Sequence, residues 1–212
     1  MTLEGIGAGM ADVAKGVRGS LVQIRNGERG AGAGSIWHPD GLIVTNAHVV
    51  GSQSIRVVLP DGRELPGRLM AHEPSLDLAA LKVDAEGLPA IELGDSRRLR
   101  PGELVISLGH PWGVEGAAAG IVIGVGHGAP DSPTPGREWV IASLRLRPGH
   151  SGGPMVDSHG RLIGINTMIT GPAVAMAVPV HVAKGFLQRA LKAGQSGAAE
   201  EREKLQQTAT LV

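Results

Sequence analysis

Apolar and polar residues alternate in short bursts along this chain, and Gly, Pro, Asn and Asp separate the bursts. Residues 19–25 alternate at period two and end at Asn26-Gly27, which predicts a half-buried strand closed by a tight turn. Gly30-Ala31-Gly32-Ala33-Gly34 follows. No Lys-Ser/Thr pair and no helix come after it, so these glycines read as a strand closely approached by other backbone rather than a phosphate loop. The turn His38-Pro39-Asp40-Gly41 leads into an apolar strand at 42–46. Residues 55–59 and 64–70 predict a hairpin about Pro60-Asp61-Gly62-Arg63. Residues 75–83 predict another strand, which carries Asp77 between Leu76 and Leu78.

A polar, turn-rich stretch at 94–102 divides the chain, and the second half repeats the style of the first. Strands are predicted at 103–109, 117–125 and 139–144, with a loop at 126–137. A hairpin of 155–156 and 162–166 and a last strand at 174–178 complete the set. Short strands at even spacing predict an all-β sandwich or barrel. Helical spacing is clear at 181–192, where Val182, Phe186, Leu187, Ala190 and Leu191 share one face. A weaker helical stretch at 10–15 lies in an N-terminal segment of residues 1–16. The structural halves are then about 17–95 and 101–180, and the small, polar residues of 193–212 read as a frayed tail.

Composition narrows the chemistry. Apolar residues make up 42% of the 212, enough for a packed core, yet the chain has one Phe, three Trp and no Tyr. Its core must come from Val, Ile, Leu and Ala. A formal net charge of +0 argues against a nucleic-acid partner or a charged membrane surface. No Cys is present, so disulfides and thiolate metal sites are excluded. No His, Asp or Glu pair has ligand spacing on one element, so neither metal nor cofactor is expected. No signal peptide or membrane-length apolar run is visible, which predicts a cytoplasmic protein; a trimmed exported form would look the same.

One stretch carries chemistry: Arg147-Pro148-Gly149-His150-Ser151-Gly152-Gly153-Pro154. Gly and Pro disfavour helix and central strand, so the segment reads as a tight turn presenting Ser151 as a candidate nucleophile. An incidental serine in a Gly-rich loop is the plainer reading. A nucleophilic hydroxyl needs a base, and the base needs an orienting group. His38, His72, His127, His159 and His181 read as solvated polar residues, while His110 and His150 sit in turns near the serine. His48 differs: it ends an apolar strand among small residues, as a base or as a core histidine satisfied by a carbonyl. Asp77 alone among the aspartates lies between apolar strand residues, where a carboxylate needs a donor such as the His48 ring.

Three segments, Thr45-Asn46-Ala47-His48-Val49-Val50, Asp77-Leu78-Ala79-Ala80-Leu81-Lys82 and Gly149-His150-Ser151-Gly152-Gly153-Pro154, resemble the signatures of trypsin-like serine proteases. Their wording is similar to the bacterial HtrA/Deg branch, over about residues 17–192. The resemblance implies two perpendicular six-stranded antiparallel β-barrels followed by a C-terminal helix. It implies Ser151 as nucleophile, His48 as general base then acid, Asp77 as its orienting partner, and the amides of Gly149 and Ser151 as the oxyanion hole. It also implies an endopeptidase for unfolded or misfolded polypeptides, and a trimer built through the N-terminal segment. Residues 1–16 offer few large apolar anchors for such a trimer, so a monomer stays open.

Departures from the branch matter as much. His150 stands where Asn is usual, and its ring is expected at the leaving-group side of the substrate site or in solvent. No PDZ domain is expected after the catalytic part, and Asn26-Gly27-Glu28-Arg29 replaces a long loop. Residues 143–147 contain no acid, which predicts small or medium apolar P1 side chains with Leu146 as a pocket wall. Two rivals remain. The Gly-x-Ser-x-Gly spacing also fits an α/β-hydrolase esterase, but Gly152-Gly153-Pro154 disfavours the helix that fold needs. A protease-like module that binds peptides without cleaving them is the other.

Overall fold

A computed structural model describes residues 2–27, 29–51, 54–127, 136–169 and 173–192. The first half contains β1 (Leu21–Asn26), β2 (Arg29–His38), β3 (Leu42–Thr45), β4 (Ile55–Val58), β5 (Glu64–Glu73) and β6 (Leu78–Lys82). They close into an antiparallel barrel in the order β1-β2-β3-β6-β5-β4. The second half contains β7 (Leu104–Gly109), β8 (Gly116–His127), β9 (Glu138–Ser143), β10 (Pro154–Asp157), β11 (Leu162–Ile169) and β12 (Val174–Pro179). Its ring, β7-β8-β9-β12-β11-β10, has the same order. The all-β expectation and its two six-stranded barrels are therefore met.

Each barrel is filled by alternate strand residues, as period two requires. Val22, Ile24, Ile36, Ile43, Val57 and Leu81 fill the first. Val105, Val122, Val140, Met155, Ile163 and Ala177 fill the second. A third cluster joins the barrels: Ala33, Val44 and Leu78 from one meet Ile106, Leu108, Val156 and Ile165 from the other. Burying an aliphatic side chain of this size contributes about 1.5–3 kcal/mol, so many small contacts replace the missing aromatics.

Two helices cover that seam. The C-terminal helix, at 180–192, places Ala183, Phe186 and Leu187 in the joint cluster. Its His181 is not solvated as expected: Nδ1 pairs with Ser96 Oγ at 2.8 Å and Nε2 with Glu138 at 2.9 Å. The N-terminal helix, Leu3–Val17, is much longer than the stretch at 10–15 that spacing predicts. Gly5, Gly7, Gly9 and Gly16 hide it, because each lowers helix propensity by about 1 kcal/mol relative to Ala. A Thr2 cap on the Gly5 amide and the packing of Val13, Ala14 and Val17 against the joint core sustain it. The predicted loop at 126–137 falls mostly outside the described residues, and the predicted tail at 193–212 falls wholly outside them. No described helix is long and apolar enough to cross a membrane.

Candidate active site

The serine turn is wedged between the barrels by backbone contacts that only glycine permits. Ala33 N–H of β2 donates to the Ser151 carbonyl at 2.9 Å. A Cβ on Gly32 would lie 2.6 Å from that carbonyl oxygen, which gives the alternating glycines of β2 their reason. Gly152 has φ +81, and a Cβ there would collide with Thr45 Oγ1 and the Ala33 carbonyl. Asn166 of β11 secures the turn from the other side. Its backbone exchanges bonds with Gly152 and Gly153, and its buried amide binds Ser107, Leu108 and Pro154. Ser151 is thereby held at the mouth of a cleft of about 620 Å³.

The first barrel brings His48 to the same cleft, with Asp77 against its ring. His48 sits in a 3-10 turn at Ala47–Val49, just past β3. Its Nδ1 lies 3.0 and 2.9 Å from the two Asp77 oxygens, and its backbone N–H donates to Oδ1 at 3.1 Å. Asp77 is not in a strand as expected: it occupies the turn before β6 with φ +54. A side chain held in that region costs about 1–3 kcal/mol, so something must enforce it. Asn46 does. It is fully buried, and its Nδ2 donates to the Asp77 carbonyl at 2.9 Å and to Thr167 Oγ1 of the second barrel at 3.0 Å. His72 is exposed, as expected, and its Nε2 also lies 3.3 Å from the Ala47 carbonyl.

Asn46 and Thr167 were missed as site residues by the sequence reading. A buried amide at the end of an apolar strand demands partners, and that demand was the available signal for Asn46. Nothing local marks Thr167, whose role depends on the opposite barrel.

Around the nucleophile, the amides divide into two groups. The N–H groups of His150, Gly152 and Gly153 bond to Arg147, Asn166 and His150 carbonyls. Among the described residues, no acceptor takes the N–H of Gly149 or of Ser151. Gly149 has φ +102, and its carbonyl accepts from His110 N–H at 2.9 Å. Ser151 Oγ donates to the Thr167 carbonyl at 3.4 Å. Leu146, Met168 and Ile169 supply the apolar lining, and Arg147 stacks over Trp112 at 4.6 Å on the rim. Among the described residues, no acid lines the cleft.

His150 contradicts its expectation. The residue is 3% exposed, so its ring neither faces solvent nor lines the cleft. Nδ1 lies 3.3 Å from Arg147 N and 3.2 Å from Arg147 O, while Nε2 is buried without a partner. Burial lowers its pKa below the usual histidine value; the bond to the Arg147 backbone opposes this and the Arg147 charge adds to it. His110 is shifted the same way, again chiefly by burial. No group of three or more His, Asp or Glu able to hold a metal occurs among the described residues.

Comparison with known proteins agrees with this geometry. A family model described as trypsin-like peptidase domain matches residues 32–165. A putative serine protease HhoB of Synechocystis is 36% identical over 174 residues, covering 79% of this chain and 42% of that protein. A probable periplasmic serine endoprotease, DegP-like, of Halomonas elongata is 39% identical over 163 residues, covering 73% and 34%. The chain thus spans well under half the length of either relative. Among solved structures, the HtrA-type protease AlgW with tripeptide superposes with a TM-score of 0.79 at 30% identity, covering 87% of this chain and 64% of that one. With its two six-stranded barrels and its similarity to HtrA and DegP-like proteins, the chain belongs to the trypsin-like peptidase family.

Proposed function

We propose that this domain is a serine endopeptidase that cleaves unfolded polypeptides through Ser151, His48 and Asp77. The observation that carries the reading is the paired contact of His48 Nδ1 with both Asp77 oxygens, at a cleft that His48 and Ser151 both line and where the Gly149 and Ser151 amides have no acceptor among the described residues. A carboxylate on Nδ1 keeps the proton there and leaves Nε2 bare to accept the serine proton. Ser151 Oγ then attacks the scissile carbonyl carbon. The carbonyl oxygen becomes an oxyanion, for which the N–H groups of Gly149 and Ser151 are the free donors. His48 returns the proton to the leaving amine, and the C–N bond breaks to give an acyl-enzyme. Water attacks that ester by the same steps in reverse. Each oxyanion donor in such a site accounts for about 10²–10³ in rate.

An apolar P1 side chain fits the cleft, because Leu146, Met168 and Ile169 line it and its charged rim residue is the cation Arg147. A basic P1 side chain would find no acid there. The resting bond from Ser151 Oγ to Thr167 favours the second reading, a domain that binds peptides without cleaving them. The cytoplasmic expectation draws no support from the relatives, one of which is named periplasmic.

One experiment separates the two readings. A fluorophosphonate labels the wild-type protein and not Ser151→Ala, and casein is cleaved by the former alone. A wild type that neither labels nor cleaves makes the domain a binding module.

A further inference from the structure

Buried imidazoles need a reason, and His150 has none in the triad. It is the central residue of the oxyanion turn, with Gly149 before it and Ser151 after it. Two i to i+3 bonds shape that turn: His150 N–H to Arg147 O at 3.0 Å, and Gly153 N–H to His150 O at 2.9 Å. The ring adds a third tie. With Nδ1 bare it accepts the Arg147 N–H, and with Nδ1 protonated it donates to the Arg147 carbonyl. A neutral ring satisfies one of these and leaves Nε2 buried with no partner among the described residues. A charged ring would place an N–H and a positive charge there with no acceptor.

The surroundings do not welcome that charge. From its own turn the ring faces the Arg147 cation, and from the segment after β7 it faces His110. His110 in turn feels Glu115 and Arg25, the first favouring its charge and the second opposing it. Among the described residues, no acidic group acts on His150 itself. Small adjustments are also blocked. A Cβ on Gly109 would lie 2.5 Å from His150 Cα and 2.6 Å from the Gly149 carbonyl, so the two backbones are in contact along their length. A ring that gains a proton can reach water only by leaving its pocket and taking the turn with it.

We propose that His150 is the positioning residue of the oxyanion turn, and that protonation of its ring opens the turn and switches the site off in acid. This rests on the protease reading above. The neutral ring holds the Arg147 peptide, and the Arg147 peptide sets where the Gly149 and Ser151 amides point. Burial and the Arg147 charge delay the proton until the pH falls below the ordinary histidine range. The active form is therefore present at neutral and alkaline pH and is lost on the acid side.

His150→Asn removes the titrating group and keeps a side-chain acceptor for the Arg147 N–H. The rate of fluorophosphonate labelling is measured against pH for both proteins. At the low end of the profile the wild-type rate falls more steeply than that of the variant, by about a further tenfold per pH unit, because His150 takes a proton that Asn cannot. His150→Leu, which has no acceptor, is at least about tenfold slower than His150→Asn near neutral pH. A second measurement needs no activity: in Ser151→Ala, the amide resonances of Gly149 and of position 151 move with the His150 ring resonances as pH falls. Identical acid slopes in wild type and His150→Asn, or amides that ignore the His150 titration, overturn the proposal. A wild type that never labels refutes the protease reading instead, and the resonances then decide the His150 question alone.

Discussion

The two barrels share one strand order and contribute to the cleft by opposite means. The first offers side chains, His48 and Asp77, held by other side chains and by hydrogen bonds. The second adds the Ser151 hydroxyl and, around it, backbone: the amides of Gly149 and Ser151, held by glycines too close to other chain segments to carry a Cβ. Side-chain chemistry can be altered one group at a time while the barrel stands. Backbone geometry cannot, because the segments that would stabilise an oxyanion also pack the seam between barrels. A mutation of the His48–Asp77 pair should therefore separate activity from stability, and one at the glycines of the serine turn should not.

The largest expected effect tests the first half of that contrast. Asp77→Asn keeps the shape but reverses the hydrogen-bonding demand on His48 Nδ1, and kcat is expected to fall about 10⁴-fold with little change in Tm. A loss of only a few-fold would remove Asp77 from its proposed role. Gly152→Ala tests the second half. Its left-handed φ and the clash with Ala33 and Thr45 predict a destabilisation of about 2–4 kcal/mol together with loss of labelling, read by denaturant unfolding. A stable but inactive Gly152→Ala protein would break the comparison. The smallest effect lies far from the cleft. Gly7 and Gly9 are exposed, helical and have nothing within 4 Å of an added Cβ, so Gly→Ala there stabilises by about 0.4–1 kcal/mol each and leaves labelling unchanged. Loss of activity in those variants would tie the N-terminal helix to the site.

Much of the fold could be read from the chain because strand alternation and turn residues are local signals. The hairpin about Pro60-Asp61-Gly62-Arg63 and the break near 94–102 needed no knowledge of distant residues. Legibility failed where a local signal was misleading. Asp77 sits between leucines like a strand residue, yet Asn46 holds it in a left-handed turn. The N-terminal helix is rich in glycine, and its stability comes from a cap and from packing on the joint core rather than from propensity. His181 looked like a solvated polar residue, and partners from remote elements, Ser96 and Glu138, bind it.

By itself, the sequence determined which residue types were available and where the chain could turn. It singled out Ser151, His48 and Asp77, because a serine among glycines, a histidine at a strand end and an aspartate among leucines are each unusual locally. Only the tertiary structure decided that His48 and Ser151 line one cleft with Asp77 against the His48 ring, and that the Gly149 and Ser151 amides have no acceptor among the described residues. It also decided that His150 is buried away from the cleft lining. The physical reason is that hydrogen-bond satisfaction and burial are properties of pairs. The partners here lie on opposite barrels, up to 121 positions apart in the case of Asn46 and Thr167.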